Sequence, residues 1–334
     1  MNTAVLSIDG GGMKGIVSAL VLIELEELIK KYAGKEDVYL VDYFDLIAGT
    51  STGSILSGLL LCPDKNSRPK YTAKDALDLY LTHGKEMFQT DLLHKIVTVF
   101  GLVGPKYRNK NFEKALKGYF NDIKTSELLC PCLLTSYNTQ TNQSVFFNSL
   151  SSQKDEKRNY YLREAILAST AAPTYFPPSC TRLNNVCMDC LVDGGVFANN
   201  PALCALIEAL KLRKSRDIHN TMVLSIGNVS NAKSYPYRKV KHWGIANWAL
   251  PILNILMDAS EQTTDYQLDK LYTVLGIPNQ YLRVAAHVKD DIPGMDDTSE
   301  IAIQRLLEIG KELVRKEHRK LEFFSKELVR NRNS

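Results

Sequence analysis

Ser51 stands in the run Gly49-Thr50-Ser51-Thr52-Gly53, between an apolar stretch from Phe44 to Ala48 and another from Ile55 to Leu61. The first is expected to be a short buried strand and the second the start of a helix. A serine at a sharp strand-to-helix turn holds its hydroxyl outward on a strained backbone, and flanking glycines permit the bend and close packing. Hydrolases present a nucleophile in this way. A glycine loop, Gly10-Gly11-Gly12-Met13-Lys14-Gly15, comes earlier, between the strand-like run Thr3 to Ile8 and a helical run. Its bare N–H groups, backed by a helix N-terminus, suit a phosphate, a pyrophosphate or a developing oxyanion. A third group, Asp193-Gly194-Gly195, follows Leu191-Val192 and precedes Asn199-Asn200-Pro201. Taken alone, an aspartate there is more a turn former than a base.

Each group has a competing reading. Gly10, Gly12 and Gly15 match a dinucleotide fingerprint, which needs a second strand ending in an acid about 20 residues on. Here the helix runs on to about Tyr32 and the next strand leads into Ser51. A Ser-His-Asp triad of the α/β-hydrolase type needs a histidine after the acid. His219, His242, His287 and His318 follow Asp193, and His287, after a strand-like run, is the best placed. Against that reading, such a fold sets several strands ahead of its nucleophile. The pairs Cys130/Cys132 and Cys187/Cys190 resemble halves of a zinc site, but buried free thiols are the plainer reading, so no metal is expected.

The elements that must position these groups follow from periodicity. Strands are expected at Thr3–Ile8, Phe44–Ala48, Met222–Ile226 and Gln280–Ala285, and a hairpin pairs Cys132–Tyr137 with Ser144–Phe147. Helices are expected from Met13 to Tyr32, from Ser54 to Leu61, from Thr72 to Met87 with Thr72 as N-cap, and from Phe112 to Phe120. Others run from Tyr160 to Ala168, from Pro201 to about Lys214, from Trp243 to Tyr272 with a break at Pro251, and from Ser299 to about Arg330. Leu92 to Asn111 has no clear period. The alternation implies an α/β fold with a mostly parallel central sheet. With no repeat and no linker, residues 1–334 read as a single domain.

The 334 residues carry 45% hydrophobic side chains, enough for a large core, and a net charge of +4. That surplus is too small to suggest nucleic acid as a partner and does not oppose an anionic membrane. Seven cysteines, an odd number, argue against a secreted disulfide framework. No signal peptide is recognisable and no run approaches the ~20 apolar residues of a spanning helix, so a cytoplasmic protein is expected. Both tryptophans lie in the stretch Trp243 to Leu253. It reads first as a buried core helix and second as an interfacial segment or a lid. The basic run Arg315, Lys316, His318, Arg319 and Lys320 reads as a solvated helix face.

Taken together and in this order, the glycine loop, Gly-x-Ser-x-Gly and Asp-Gly-Gly resemble the patatin-like phospholipase family. Ala168-Ser169-Thr170-Ala171-Ala172-Pro173 and Tyr175-Phe176-Pro177-Pro178 extend the resemblance, which covers about residues 3–215. Residues 216–334 are left as C-terminal strands and helices with a possible lid or regulatory role. The resemblance implies a three-layer α/β/α fold and a Ser–Asp dyad without histidine. Ser51 would be the nucleophile and Asp193 the base, with Gly11 and Gly12, and perhaps Gly10, as oxyanion donors. Lys14 would face a substrate phosphate, and Gly15, Gly49, Gly53, Gly194 and Gly195 would be the motif glycines. The implied reaction is acyl-ester hydrolysis of phospholipid or another acyl lipid at a peripheral membrane contact, without a cofactor. A cyclic nucleotide activator and a homo-oligomer stay open.

Overall fold

The computed structural model describes residues 2–89, 104–183, 186–187, 189–212, 217–231, 235–289 and 291–333. Its strands are β1 (Thr3–Ile8), β2 (Leu46–Thr50), β3 (Cys132–Asn138), β4 (Gln143–Asn148), β5 (Arg182–Leu183), β6 (Val186–Cys187), β7 (Leu191–Asp193), β8 (Thr221–Asn231) and β9 (Tyr281–Val288). The longer helices are α1 (Gly15–Ala33), α2 (Thr52–Leu61), α3 (Ala73–Met87), α4 (Asn109–Phe120), α5 (Leu162–Ser169), α6 (Ala202–Leu212), α7 (Ile245–Val274) and α8 (Glu300–Asn333).

β1 is buried on both faces along its whole length, as expected of an interior strand in a sheet covered on both sides. It pairs in parallel with β2 on one side and β8 on the other. The sheet order is β4-β3-β2-β1-β8-β9, with β7 added to β3. Within this sheet, among the described residues, only the β4 and β7 pairings are antiparallel, and β5 and β6 form a separate antiparallel pair. Alternate side chains of the strands enter different cores. Ala4, Leu6 and Ile8 face α1, α2 and α8, while Val5, Ala48 and Val223 face α6 and the C-terminal part of α7. Helices therefore lie on both faces, giving three layers around a mostly parallel sheet. The chain leaves β1 toward β2 on one side and returns as β8 on the other. That reversal opens a crevice at the carboxyl ends of the strands, where α/β sheets bind ligands.

Several boundaries differ from the sequence reading. β2 starts and ends two residues later than expected, because its ladder to β3 runs on to Thr50 opposite Thr135. Gly49 reads as a turn residue in the sequence, yet it pairs within the strand. β8 continues past Gly227 through an irregularity in register between Ile226 and Val229. α7 passes through Pro251 without ending. Its first turns are not the buried core helix expected there: Ile245 is 92% exposed. Thr72 does cap α3, accepting from Asp75 N–H while the Asp75 carboxylate accepts from Thr72 N–H. Much of the aperiodic stretch Leu92 to Asn111 falls on residues 90–103, outside the described residues, and α4 begins at Asn109.

Candidate active site

Ser51 directly follows the last residue of β2 and adopts φ 53°, ψ −122°, a region that side chains with a Cβ rarely occupy. Its surroundings enforce that backbone. Ser51 N–H donates to Ser169 Oγ at 3.0 Å, and Ser169 Oγ lies 2.6 Å from Ser54 Oγ. Ser54 Oγ donates to the Gly49 carbonyl at 3.0 Å. A Cβ on Gly53 would come within 2.1 Å of the Ile8 carbonyl oxygen, so no side chain fits where the elbow crosses the end of β1. α2 is buried on every face, which places its N-terminus inside the protein. The positive end of its dipole then favours negative charge developing at Ser51.

Asp193 reaches the same point from a distant part of the chain, and the sheet shows how. β3 offers one edge to two strands. Its first half pairs with β2 in parallel, ending at Thr50 opposite Thr135. Its second half pairs with β7 antiparallel, ending at Asp193 opposite Ser136. The two strands therefore run toward each other along one edge, and the residues at their ends meet. Thr50 Oγ1 fastens the junction, 2.7 Å from Thr135 Oγ1 and donating to the Ala198 carbonyl at 2.6 Å. A Cβ on Gly194 would come within 2.1 Å of Thr135 Oγ1, so the turn after Asp193 requires glycine.

The Asp193 carboxyl is almost fully buried. Oδ1 accepts from Gly195 N–H at 2.7 Å. Oδ2 has no well-formed hydrogen bond among the described residues, although the Ser51 hydroxyl is close enough to draw its pKa down. Burial outweighs both neighbours and pushes the carboxyl up to about 7. A general base is most effective with its pKa near the working pH.

The glycine loop lies against this pair. A Cβ on Gly10 would touch Ser51 Cβ at 3.0 Å. Gly10 N–H is already spent on the Asn199 carbonyl at 3.1 Å, and its carbonyl accepts from Asn228 Nδ2 at 2.6 Å. Gly10 is therefore a strut, and Gly11 and Gly12 are left with N–H groups that donate to no protein acceptor among the described residues. Gly12 has φ 60° and would drive a Cβ to 2.2 Å from the Met295 carbonyl oxygen, so a side chain is excluded on both counts. Just before the loop, Asp9 is fully buried. Its Oδ2 accepts from Arg283 Nη2, which also donates to Glu261 Oε1 at 2.7 Å, while Arg283 Nη1 donates to Ser225 Oγ at 2.8 Å. Arg283 on β9 thereby ties the glycine loop to Glu261 on α7.

Gly11, Gly12, Ser51 and Asp193 open into a cavity otherwise lined mainly by apolar groups, among them Ile55, Phe88, Phe112, Phe176, Met257 and Met295. Its volume is about 30 Å³, room for one or two waters and far below the ~300–1,000 Å³ of a ligand pocket. A larger hollow of about 590 Å³, lined by Lys110, Lys114, Lys117 and Arg163 among others, includes neither Ser51 nor Asp193.

Other expected residues lie elsewhere. Lys14 does not line the cavity, and its charge acts on Asp258 of α7. His287 is exposed, with Nδ1 2.8 Å from Ser230 Oγ, and no histidine among the described residues lines the cavity. Cys130, Cys132 and Cys190 are free thiols, whereas Cys180 is disulfide-bonded. The sequence reading missed Asp9, Arg283, Ser54 and Asn228. Only Asp9, placed just before the glycines, carried a local signal.

A profile of patatin-like phospholipases matches residues 6–206. Two potato (Solanum tuberosum) proteins are each 32% identical over 93% of this chain: Patatin-T5, of which 83% is covered, and Probable inactive patatin-3-Kuras 1, of which 86% is covered. Among solved structures, VipD from Legionella pneumophila aligns over 94% of this chain and 67% of its own, at 12% identity and a TM-score of 0.38.

Proposed function

The chain belongs to the patatin-like phospholipase family, and we propose that it cleaves fatty acyl esters of phospholipids through an acyl-serine on Ser51, with Asp193 as the base. Family membership supports a lipid acyl hydrolase. Because one potato relative is named as probably inactive, the finer reading rests on this chain's own residues. The observation that carries it is the meeting of Ser51 and Asp193 at the ends of β2 and β7 on one edge of β3.

In this reading Asp193 accepts the Ser51 proton as Oγ attacks the ester carbonyl. The carbonyl oxygen becomes an oxyanion facing Gly11 and Gly12 N–H, each good donor contributing about 3–4 kcal/mol. Collapse returns the proton from Asp193 to the departing alkoxide, which leaves as an alcohol or lysolipid. Asp193 then takes a proton from water, the resulting hydroxide attacks the acyl-serine, and fatty acid leaves as Ser51 regains its proton. A single carboxyl serves both halves because its pKa near 7 allows it to hold and release a proton at neutral pH. The cavity must widen to admit an acyl chain, and Met257 and Met295, unbranched and adaptable, are the side chains that can yield.

The test is release of fatty acid from defined phospholipids, read by mass spectrometry, together with fluorophosphonate labelling of the nucleophile. Labelling at Ser51, abolished in Ser51→Ala, is expected. An unlabelled protein that releases no acid from any lipid or short-chain ester would sink the reading. Running the assay with and without cyclic nucleotides tests whether activity is switched by a ligand.

A further inference from the structure

The start of α7 and the turn before it form an exposed surface of unusual composition. From Tyr235 to Met257 there is no Asp or Glu, while Arg238, Lys239, Lys241 and His242 crowd the first third. All four are exposed, and no acidic partner meets them among the described residues. Immediately after them, Ile245 is 92%, Ile252 42% and Leu256 48% exposed, and Tyr237 before them is 78% exposed. Ile245, Ile252 and Leu256 are seven and eleven residues apart, which places them within about 40° of one another around the helix, in a stripe roughly 16 Å long. Trp243 and Trp248 are half-buried at its head, stacked edge to face at 5.1 Å, with Tyr235 edge-on to Trp243 at 5.6 Å.

Cations, aromatic rings and an apolar stripe in this order match the layers of a lipid interface: phosphate, headgroup boundary and acyl chains. The placement adds a second argument. Met257 follows the last residue of the stripe and lines the Ser51 cavity, so this surface ends beside the catalytic groups. The basic run of α8 behaves differently. His318 Nδ1 lies 2.7 Å from Glu24 Oε1, and Lys320 Nζ lies 2.7 Å from Glu317 Oε2, so its charge is partly neutralised.

We propose that Tyr237–Leu256 is the surface on which the protein docks to an anionic phospholipid bilayer, with Ile245, Ile252 and Leu256 entering the acyl layer and Arg238, Lys239 and Lys241 at the phosphates. This rests on the lipid-hydrolase reading only for its purpose. Docking is therefore measured apart from catalysis, in the Ser51→Ala protein. That protein is expected to sediment with vesicles of phosphatidylcholine containing about one third phosphatidylglycerol, and far less with phosphatidylcholine alone. Adding Ile245→Ser, Ile252→Ser and Leu256→Ser should weaken vesicle binding about tenfold or more. Adding Arg238→Gln, Lys239→Gln and Lys241→Gln should remove the preference for phosphatidylglycerol and the loss of binding in about 0.5 M salt.

With Ser51 intact, both sets of changes should keep hydrolysis of a soluble short-chain ester within about twofold of wild type while hydrolysis of vesicle lipid falls. Ile245→Ser alone, at so exposed a position, guards against a folding artefact. Three results overturn docking: vesicle binding unchanged by the serine variants, no vesicle binding at all, or a dimer in light scattering that the serine variants dissociate. The last would assign the stripe to a second copy of the chain. Vesicle binding without any ester hydrolysis would instead leave docking standing and remove the hydrolase reading.

Discussion

Asp9 and Asp193 are the same side chain under nearly the same burial, at the carboxyl ends of two strands of one sheet. Each has one bonded carboxyl oxygen and one without a partner among the described residues. Burial pushes both carboxyls up to about 7, at Asp9 even against the pull of Arg283. The partners differ. Asp9 faces the guanidinium of Arg283, which pulls it back toward the ionised form and is itself shared with Glu261. Among the described residues Asp193 faces no cation, only the Gly195 N–H and the Ser51 hydroxyl. An aspartate paired with a buried cation acts as a strut, because a proton gained there would weaken a pair that is costly to lose. An aspartate held by neutral donors can change its protonation without losing its place. On the proposed mechanism the same residue type is scaffold in one site and base in the other.

The contrast is broken most severely at Ser51 and Asp193. Ser51→Ala and Asp193→Asn are each expected to lower kcat/KM on a soluble ester by at least about 10³-fold, with unchanged circular dichroism. His287→Ala should leave it intact. If His287→Ala lost activity while Asp193→Asn kept it, the base has been assigned to the wrong residue. Asp193→Asn should also raise stability. The folded pKa, about 7, lies above the ordinary 3.8. The native state therefore holds a proton that the unfolded chain has released, and stability present below pH ~4 is lost as pH rises through ~7. At pH 8 the asparagine variant should gain on the order of 4 kcal/mol in urea unfolding, and little at pH 4.

Arg283→Met tests the strut. It takes the cation from buried Asp9 and part-buried Glu261, so a loss of about 3–5 kcal/mol is expected from urea midpoints. Arg283→Lys should recover part of it. A neutral effect of Arg283→Met would mean that Asp9 is already protonated and the contrast with Asp193 disappears. A smaller effect follows from Gly11→Ala. Its Cβ would meet Asn228 Nδ2 at 2.4 Å and displace the proposed oxyanion donors. A drop of about 10²-fold in kcat, with KM little changed, would separate transition-state stabilisation from binding. Finally, kcat/KM should fall about tenfold per pH unit below an apparent pKa near 7. A flat profile down to pH 5 would show that Asp193 titrates as an ordinary carboxylate.

The elbow and the loop were legible because their signals are local. Gly49, Gly53 and Gly194 mark places where the backbone passes within a Cβ radius of another chain segment, and a serine between glycines after an apolar run can be read without knowing its neighbours. The sequence puts β2 two residues too early because a glycine inside a ladder looks like a turn until its partner strand is known. The opening turns of α7 look like core in the sequence because apolar content reports the tendency to leave water, not the surface that will receive the side chains. Asp9 and Arg283 could not be paired from spacing, since a salt bridge between a first strand and a last one has no local trace.

The order of motifs determined the chemistry available to this chain: a strained serine, bare N–H groups at a helix start, and an aspartate in a glycine turn. These depend on φ, on the absence of Cβ atoms and on residue type, all properties of short segments. Only the tertiary structure decided that Ser51 and Asp193 share a site, that Gly10 is a strut, and that Asp9 answers to Arg283. Those outcomes depend on which strands lie side by side on β3 and which carboxylate finds a cation, and both are set by contacts between segments far apart in the chain.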